Sequence, residues 1–321
     1  MKNMKNWWRL MALACVLLSV MAAHAEISPG KNGVAFLKVG VGARAIGMGE
    51  GFSAIADDTS AIYYNPAGLV HISTPCISTS YNQWIGGLMN GAITYVNPCF
   101  KQSAIGISAV YLGTNGIPRY DTKDSATSSG VYKAYDMSLN CTYAFHFTRG
   151  ISFGINVKGI SEKIDNEEMG GFAVDFGQLY HTPIDGLSLS SVVQNVGPAM
   201  MFKDAASKLP TCYKLGIAYR FPDYPLLIGC DWTKPSDNKL KINAGFECKM
   251  MNTLAIRGGF DSQLFEDLNG GLNLGFGFPL GPYEVDYAFV PTKRMGDTHR
   301  LSIGMRLGDQ NKTKSRDLCG E

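Results

Sequence analysis

The feature that most constrains the fold is a long series of two-residue alternations that begins near residue 74. In "YEVDYAF" (283–289), for example, aromatic and aliphatic residues alternate with Glu284, Asp286 and a small alanine. This period is typical of a strand whose two faces meet different environments. About fourteen such runs follow one another, at 74–82, 87–97, 102–113, 131–147, 150–162, 169–182, 186–196, 210–221, 225–234, 239–250, 252–261, 270–279, 282–290 and 298–307.

The connections between these runs differ in length according to their position. After even-numbered runs they are short, as in "TRG", "PIDG" and "PDY". After most odd-numbered runs they are longer and more polar, as in "TNGIPRYDTKDSATSSG", "EKIDNEE" and "GPAMMFKDAASKL". Tight periplasmic turns on one rim and larger external loops on the other are typical of outer-membrane barrels. We therefore predict an all-β fold, a transmembrane antiparallel β-barrel of about 14 strands over residues 73–308, with both termini in the periplasm of a Gram-negative-type bacterium.

The polar face of each strand is then predicted to line the lumen. Shifting a strand by one residue would turn a Lys or Arg toward lipid, at a cost of about 2–4 kcal/mol at the bilayer midplane, so the register is strongly specified. The two signs of charge are mixed on this face, which favours a network of ion pairs over a general anion or cation pore. The predicted lumen-lining charges are Asp231, Lys241, Glu247, Arg257, Glu284, Asp286, Arg300 and Arg306.

The two ends of the chain do not share this pattern. Residues 1–25 combine a basic start, an apolar stretch at 10–20 and a small-x-small site at 23–25, which predicts a secretory signal peptide. Removing its three basic residues from 29 basic and 27 acidic residues leaves 26 and 27, a balance that gives no support to a nucleic-acid partner. Residues 309–321 are predicted to form a polar periplasmic tail.

Residues 26–72 are predicted to form a plug or hatch, because fourteen strands enclose a space too wide for their own side chains to fill. The segment is rich in glycine and does not alternate. Asp57 and Asp58 are suited to cap a short helix that ends before Pro66, since proline biases the preceding residue away from the helical region. Arg44 is expected to pair with acidic residues of the lumen. The predicted plug motif comprises Arg44, Gly47, Gly49, Asp57, Asp58, Asn65, Pro66 and Ala67.

Side chains that would indicate catalysis or metal binding do not form a recognisable pattern. The histidines of the mature chain have no ligand spacing, and the cysteines contain no CxxC. "GMGEG" lacks the spacing and the lysine of a phosphate-binding loop. We therefore predict no catalytic residue, no metal, no cofactor and no enzyme activity.

Residues 36–69, "FLKVGVGARAIGMGEGFSAIADDTSAIYYNPAGL", closely resemble the N-terminal signature of the PorV/PorQ family of outer-membrane proteins. That family is itself similar to FadL-type long-chain fatty acid transporters, in which the N-terminal segment forms a hatch. Asn65, Pro66 and Ala67 match the Asn-Pro-Ala motif of those proteins. The resemblance implies a role in type IX secretion, with exported proteins that carry C-terminal sorting domains and secretion components as partners, besides outer-membrane lipid.

Three functional hypotheses remain at this point. The first is protein export, in which loops 113–130 and 197–210 contact cargo. The second is FadL-like passive uptake of long-chain fatty acids or other hydrophobic small molecules. Met200, Met201 and Phe202 would then be an external apolar contact for the ligand, since methionine adapts to varied apolar surfaces. The third hypothesis is a soluble, secreted β-rich enzyme.

Overall fold

The computed structural model describes residues 33–83, 87–99, 102–120, 127–202, 205–251, 253–268, 271–292 and 296–308. The predicted signal peptide, the predicted tail and the first seven residues of the predicted plug lie outside these ranges. The helices within the ranges are too short or too polar to cross a bilayer. The division of the chain at residues 72 and 308 stays a prediction.

The strands build a closed antiparallel barrel, which confirms the predicted fold class. Fourteen strands of the described chain close it, and each predicted alternation corresponds to one of them. β8 and β9 form a separate two-stranded hairpin. The strands in chain order are β1 (Cys76–Gln83), β2 (Met89–Cys99), β3 (Ser103–Arg119), β4 (Gly130–Thr148), β5 (Ile151–Ile164), β6 (Glu167–His181), β7 (Leu187–Val196), β8 (Met200–Phe202), β9 (Ala205–Ser207), β10 (Cys212–Arg220), β11 (Leu226–Pro235), β12 (Lys241–Met250), β13 (Leu254–Asp261), β14 (Leu272–Leu280), β15 (Tyr283–Val290) and β16 (Thr298–Arg306).

Burial along most of the barrel strands follows the two-residue period, with polar side chains inside and apolar side chains outside. On β12, Ile242 and Phe246 are exposed on the outer surface, whereas Asn243 and Glu247 are buried in the lumen. The packed core of the molecule is therefore the lumen, and the outer surface is apolar, as a surface in contact with lipid must be.

Five short helices accompany the strands within the described ranges. Four of them precede β1: a 3-10 helix (Ala35–Lys38), α1 (Ala43–Gly47), α2 (Ala61–Tyr64) and a second 3-10 helix (Pro66–His71). We call residues 33–72 the plug, because they pack against inward-facing side chains of the barrel strands. The fifth helix, α3 (Ser262–Leu268), occupies a connection predicted as a loop; Asp261 accepts hydrogen bonds from the backbone N–H groups of Gln263 and Leu264 and so caps its first turn.

The two rims of the barrel differ. One rim, here called the short-turn rim, carries the connections at 149–150, 182–186, 221–225 and 281–282. The opposite, long-loop rim is uneven, because β3 to β6 have 14 to 19 residues and β10 to β16 have only 8 to 10. The loop predicted at "EKIDNEE" is wrong: β5 and β6 stay paired as far as Ile164 and Glu167, and Asp165 adopts the positive φ of 56° that tight hairpin turns require.

Candidate functional site: the contact between plug and barrel wall

Arg44 is the centre of a buried ion-pair network between the plug and the wall. It lies in α1 and is only 8 % exposed. Its Nε and Nη2 donate to the two carboxylate oxygens of Glu247 on β12, at 2.8 and 3.0 Å. Its Nη1 donates to Asp57 at 2.5 Å and to Asp58 at 3.1 Å. Burial alone would lower the pKa of Arg44, but Asp57, Glu247 and Asp58 outweigh it and hold the pKa well above its usual value.

The network continues along the wall from Glu247. The same carboxylate accepts from Nε of Arg257 on β13 at 2.7 Å, and Nη1 of Arg257 reaches Asp286 on β15 at 2.6 Å. A chain of side chains with alternating charge on β12, β13 and β15 therefore extends from Arg44 of the plug along the wall. Because Arg44, Glu247, Arg257 and Asp286 are buried, removing one of them leaves an uncompensated charge in a medium that solvates it poorly.

A second contact of this kind lies beside the first. Lys241 on β12 bridges Glu50 of the plug at 2.9 Å and Asp261 on β13 at 2.8 Å. Burial would raise the pKa of Glu50, yet the neighbouring cations, Lys241 first among them, lower it. These pairings, together with the Arg44 network, leave the lumen with charges of both signs in direct contact.

The remaining predicted lumen charges have different surroundings. Asp231 is buried and accepts from the backbone N–H groups of Phe52 and Ser53 at 3.2 and 2.9 Å. Arg300 is buried and donates to the carbonyl of Gly40 at 2.8 Å. Glu284 is half exposed, at 4.0 Å from Arg257. Arg306 is exposed at the short-turn rim and donates to the carbonyl of Gly281 at 3.3 Å.

Amides and acids of the wall complete the hydrogen bonding of the plug backbone. The plug has little regular structure, so many of its peptide groups have no partner within it. Asn273 on β14 donates to the carbonyl of Ile46 at 2.7 Å, and Asn243 on β12 donates to that of Gly49 at 2.5 Å. The inward-facing polar residues therefore stabilise an irregular segment where little water is available.

Glycines allow the plug backbone to lie directly on the wall. A Cβ atom added to Gly259 on β13 would lie 2.0 Å from the backbone nitrogen of Gly49, and one added to Gly47 would lie 2.9 Å from Cα of Gly275 on β14. Gly49 also adopts a φ of +63°, which other residues rarely do. Both glycines of the predicted plug motif therefore contact the wall through their backbone.

The Asn65-Pro66-Ala67 motif fixes the plug to β5 and β6. Asn65 is extended, with φ −159° and ψ 103°, as expected of a residue before proline. Its side-chain amide donates to the carbonyls of Ser53 and Gln178 at 2.8 and 3.1 Å, and its oxygen accepts from the N–H of Ala67 at 3.1 Å. The backbone of Pro66 lies against Gly154, where a Cβ atom would come within 2.3 Å of its carbonyl carbon.

The prediction that Asp57 and Asp58 cap a helix is wrong. Ser60 precedes α2, and its side chain makes no capping hydrogen bond. Asp58 accepts from the backbone N–H of Ser60 in a local turn, at 2.8 Å, and Asp57 bonds Arg44 and also Arg220 on β10, at 3.1 Å. Both carboxylates instead pair with the buried guanidinium of Arg44, whose charge would otherwise have fewer partners.

The long-loop half of the lumen is filled by apolar side chains. Met200 is only 2 % exposed and packs with the start of the plug and with inward-facing residues of the longer strands, so its prediction as an external contact is wrong. Met201 is 58 % exposed, and the side chain of Phe202 lies outside the described structure. The cavity beside this cluster measures about 20 Å³, which is room for about one water molecule. The cluster comprises Val34, Phe36, Leu37, Val39, Leu112, Ile160, Met169, Ala173, Met200 and Leu209.

Larger spaces lie in the other half of the lumen. A cleft of about 280 Å³ lies between the plug and β1, β2, β15 and β16, and its lining includes Arg44, Asp57 and several serines. A second cavity, of about 290 Å³, lies beside His71 and His181 near the short-turn rim. Sequence spacing gives no sign that these two histidines meet, since one belongs to the plug and the other to β6. No group of three or more His, Cys, Asp or Glu within the described ranges is arranged to hold a metal ion.

A closed barrel that is apolar outside and polar inside, with an N-terminal segment bound in its lumen, defines an outer-membrane β-barrel with an internal plug. The chain belongs to the family described as type IX secretion system protein PorV, whose family model matches residues 27–226. No curated protein matches the chain closely enough to add to this assignment.

Solved structures with the same fold are FadL-type barrels. The Ralstonia pickettii toluene transporter TbuX aligns with a TM-score of 0.60 and 12 % identity, over 84 % of this chain and 99 % of its own. A Pseudomonas aeruginosa FadL homologue aligns with a TM-score of 0.58 and 14 % identity, over 84 % and 98 %. The Pseudomonas putida toluene transporter TodX gives 0.59 and 13 %, over 83 % and 96 %. At this identity the likeness extends to the fold alone.

Proposed function

We propose that the barrel takes part in protein export across the outer membrane, as a type IX secretion component that binds or hands over cargo. Membership of the PorV family is the observation that carries this proposal. The apolar cluster around Met200 supports it, because its side chains are buried against one another and occupy the long-loop half of the described lumen. We also propose that the chain is not an enzyme.

In this function the plug keeps the lumen closed, and the long-loop rim faces the cell exterior. The short-turn rim and both termini then face the periplasm, in keeping with the usual arrangement of outer-membrane barrels. Exported proteins would be contacted by residues 113–130 and 197–210 at the long-loop rim. β3 extends into the first of these segments as far as Arg119, and the second contains the β8–β9 hairpin. Within the described part of the second segment, Met201 presents an exposed apolar side chain.

The second candidate function is passive uptake of a hydrophobic small molecule. The apolar cluster around Met200 supports it, since its side chains would suit a hydrocarbon ligand if the β8–β9 hairpin moved outward. TbuX and TodX are toluene transporters, and this chain shares only their fold. In this second function the ligand would take the place of the Met200 side chain against the plug.

Recovery of partners from gently solubilised outer membranes separates the two candidates. We expect an affinity-tagged chain to recover exported proteins with C-terminal sorting domains, and Met201→Asp to reduce that recovery. Met251→Asp is the matched control, because Met251 is 89 % exposed on the opposite rim. Solvent extraction of the purified barrel is analysed by mass spectrometry in parallel. Bound fatty acid or another hydrocarbon without any exported protein contradicts the export proposal and supports uptake.

A further inference from the structure

Three imidazole rings meet where the plug leaves the barrel lumen. His71 is the last residue of the 3-10 helix Pro66–His71, His146 lies on β4, and His181 ends β6. The Nε2 atoms of His71 and His181 are 3.1 Å apart. The ring centroid of His71 lies 4.6 Å from that of His181 and 5.4 Å from that of His146.

Serine hydroxyls fix the two wall histidines in position. Nδ1 of His181 bonds Oγ of Ser188 on β7 at 2.8 Å, and Nδ1 of His146 bonds Oγ of Ser152 on β5 at 2.9 Å. The contact between His71 and His181 is a hydrogen bond that needs one N–H and one ring nitrogen with a free lone pair. When both rings are protonated, two N–H groups face each other without an acceptor, and two like charges meet at this distance.

In the cavity that His71 and His181 share, the charged groups come from the plug, β10 and the connection 182–186, while Asp58, Glu284 and Arg306 line the cleft on the other side of His71. Asp57 of the plug and Arg220 of β10 line the same cavity as His71 and His181, as does Asp185 from the connection 182–186. Asp57 already binds Arg44 at 2.5 Å and Arg220 at 3.1 Å, so it has little capacity to neutralise a histidinium. Arg220 adds positive charge. The site is therefore suited to neutral imidazoles.

We propose that His71, His146 and His181 form a proton-sensitive clasp that holds the end of the plug to β4 and β6 at neutral pH and releases it in acid. The clasp is a regulatory device for the plug and does not depend on which molecule the barrel transports. It acts at the junction between the plug and β1, where a change in the plug is transmitted directly to the strand that closes the barrel with β16.

The pH range follows from the environment of His71. Burial, followed by the proximity of His181 and His146, lowers its pKa from 6.5 to about 4. A protonated His71 is thus more stable with the clasp open than with it closed. The clasp is fully favourable above pH 6.5 and is weakened as the pH falls from 6.5 toward 4. The ratio of closed to open clasp is expected to fall by a factor on the order of 30 at pH 5.

Hydrogen exchange measured by mass spectrometry tests the clasp on the full barrel in lipid nanodiscs. Protection of peptides within 61–72 is compared at pH 8 and pH 5, after correction for the intrinsic pH dependence of exchange. We expect protection there to fall by about tenfold or more at pH 5, while peptides around α1, which the Arg44 network holds, keep theirs. His71→Gln and His181→Asn are expected to abolish most of the pH response.

His299→Gln is the matched control, because His299 lies at the far end of β16, where its ring bonds the hydroxyl of Tyr287 at 2.7 Å. It is expected to keep the full pH response. Heat-modifiable mobility in detergent gels checks that each variant has folded, and His146→Gln, with a partial loss of the response, replaces any variant that has not. Protection at 61–72 that is the same at both pH values, or a pH response that survives His71→Gln, would overturn the proposal.

Discussion

The contact between Arg44 and Glu247 permits a quantitative test of how firmly the plug is bound. Breaking a buried ion pair by removing one partner costs about 3–5 kcal/mol. Here two of the three acids keep a second cation, since Glu247 still binds Arg257 at 2.7 Å and Asp57 still binds Arg220 at 3.1 Å. We therefore expect Arg44→Met to lower the free energy of unfolding by about 2–4 kcal/mol, somewhat less than the full cost of breaking a buried pair.

A double-mutant cycle isolates the pair itself. Arg44→Met, Glu247→Gln and the double variant are unfolded by urea from lipid vesicles, and the free energies are compared. We expect a coupling energy of about 1–3 kcal/mol, since the two side chains share one buried network. The fluorescence of Trp232, which lies on the outer surface of β11, reports transfer from lipid to water.

The chain offers a matched control pair at its surface. Arg119 at the end of β3 and Asp165 in the turn between β5 and β6 form an ion pair, with side chains 45 % and 40 % exposed. A cycle with Arg119→Met and Asp165→Asn is expected to give about 0.5 kcal/mol or less, because water screens such pairs. A coupling energy for Arg44 and Glu247 that does not exceed the surface value would refute the argument that this network fixes the plug.

Three further predictions concern separate contacts of the plug. Gly259→Ala is expected to lower the free energy of unfolding by about 2 kcal/mol or more, because the added methyl group would overlap the plug backbone. Gly304→Ala is the control: no atom lies nearer than 3.9 Å to the added Cβ, so we expect a change of less than about 0.5 kcal/mol. Equal effects of the two substitutions would contradict the close contact between plug and wall. Burial would raise the pKa of Asp57, but Arg44 outweighs it and lowers the pKa below 3.8. The stability that this carboxylate contributes is therefore complete above pH 3.8 and is lost as the pH falls through the lower pKa of the folded chain. Asp57→Asn is expected to reduce the loss of stability between about pH 6 and pH 3 in urea titrations, and an unchanged loss would count against this argument. Met200→Ala is expected to cost about 2–4 kcal/mol of unfolding free energy and Met201→Ala less than about 0.5 kcal/mol, and the reverse order would contradict the inward packing of the hairpin.

The strands were accessible to sequence reasoning because lipid and lumen impose opposite demands on alternate residues. That rule weakens above the membrane, where both faces of a strand meet water. The polar segment around Asp165 was therefore predicted as a loop although β5 and β6 continue through it as a paired hairpin. For the same reason nothing in the sequence indicated that Met200 turns inward while its neighbour Met201 stays exposed.

For the contact between plug and wall, the sequence predicts which types of residue must pair, but it does not identify the partners. A lone arginine in a glycine-rich segment has to find acidic partners, and Arg44 does contact them. Its partner Glu247 lies 203 residues away in the sequence, so local pattern cannot identify it. Asp57 and Asp58 have the composition of a helix cap, but a buried guanidinium competes for them. The meeting of His71, His146 and His181 depends on three separate elements and leaves no trace in their spacing.

The contacts of α1 and its neighbours have a consequence for how the molecule is assembled. Gly40 is bound by Arg300, 260 residues later, and Gly49 lies against Gly259 with no room for even a methyl group between them. Such close contacts would be hard to form by threading the plug into a closed barrel. We therefore expect the plug to be in place before β16 joins β1, so that the last strands assemble around it. Contacts between such distant residues form slowly, so closure of this seam is expected to be a late step in biogenesis.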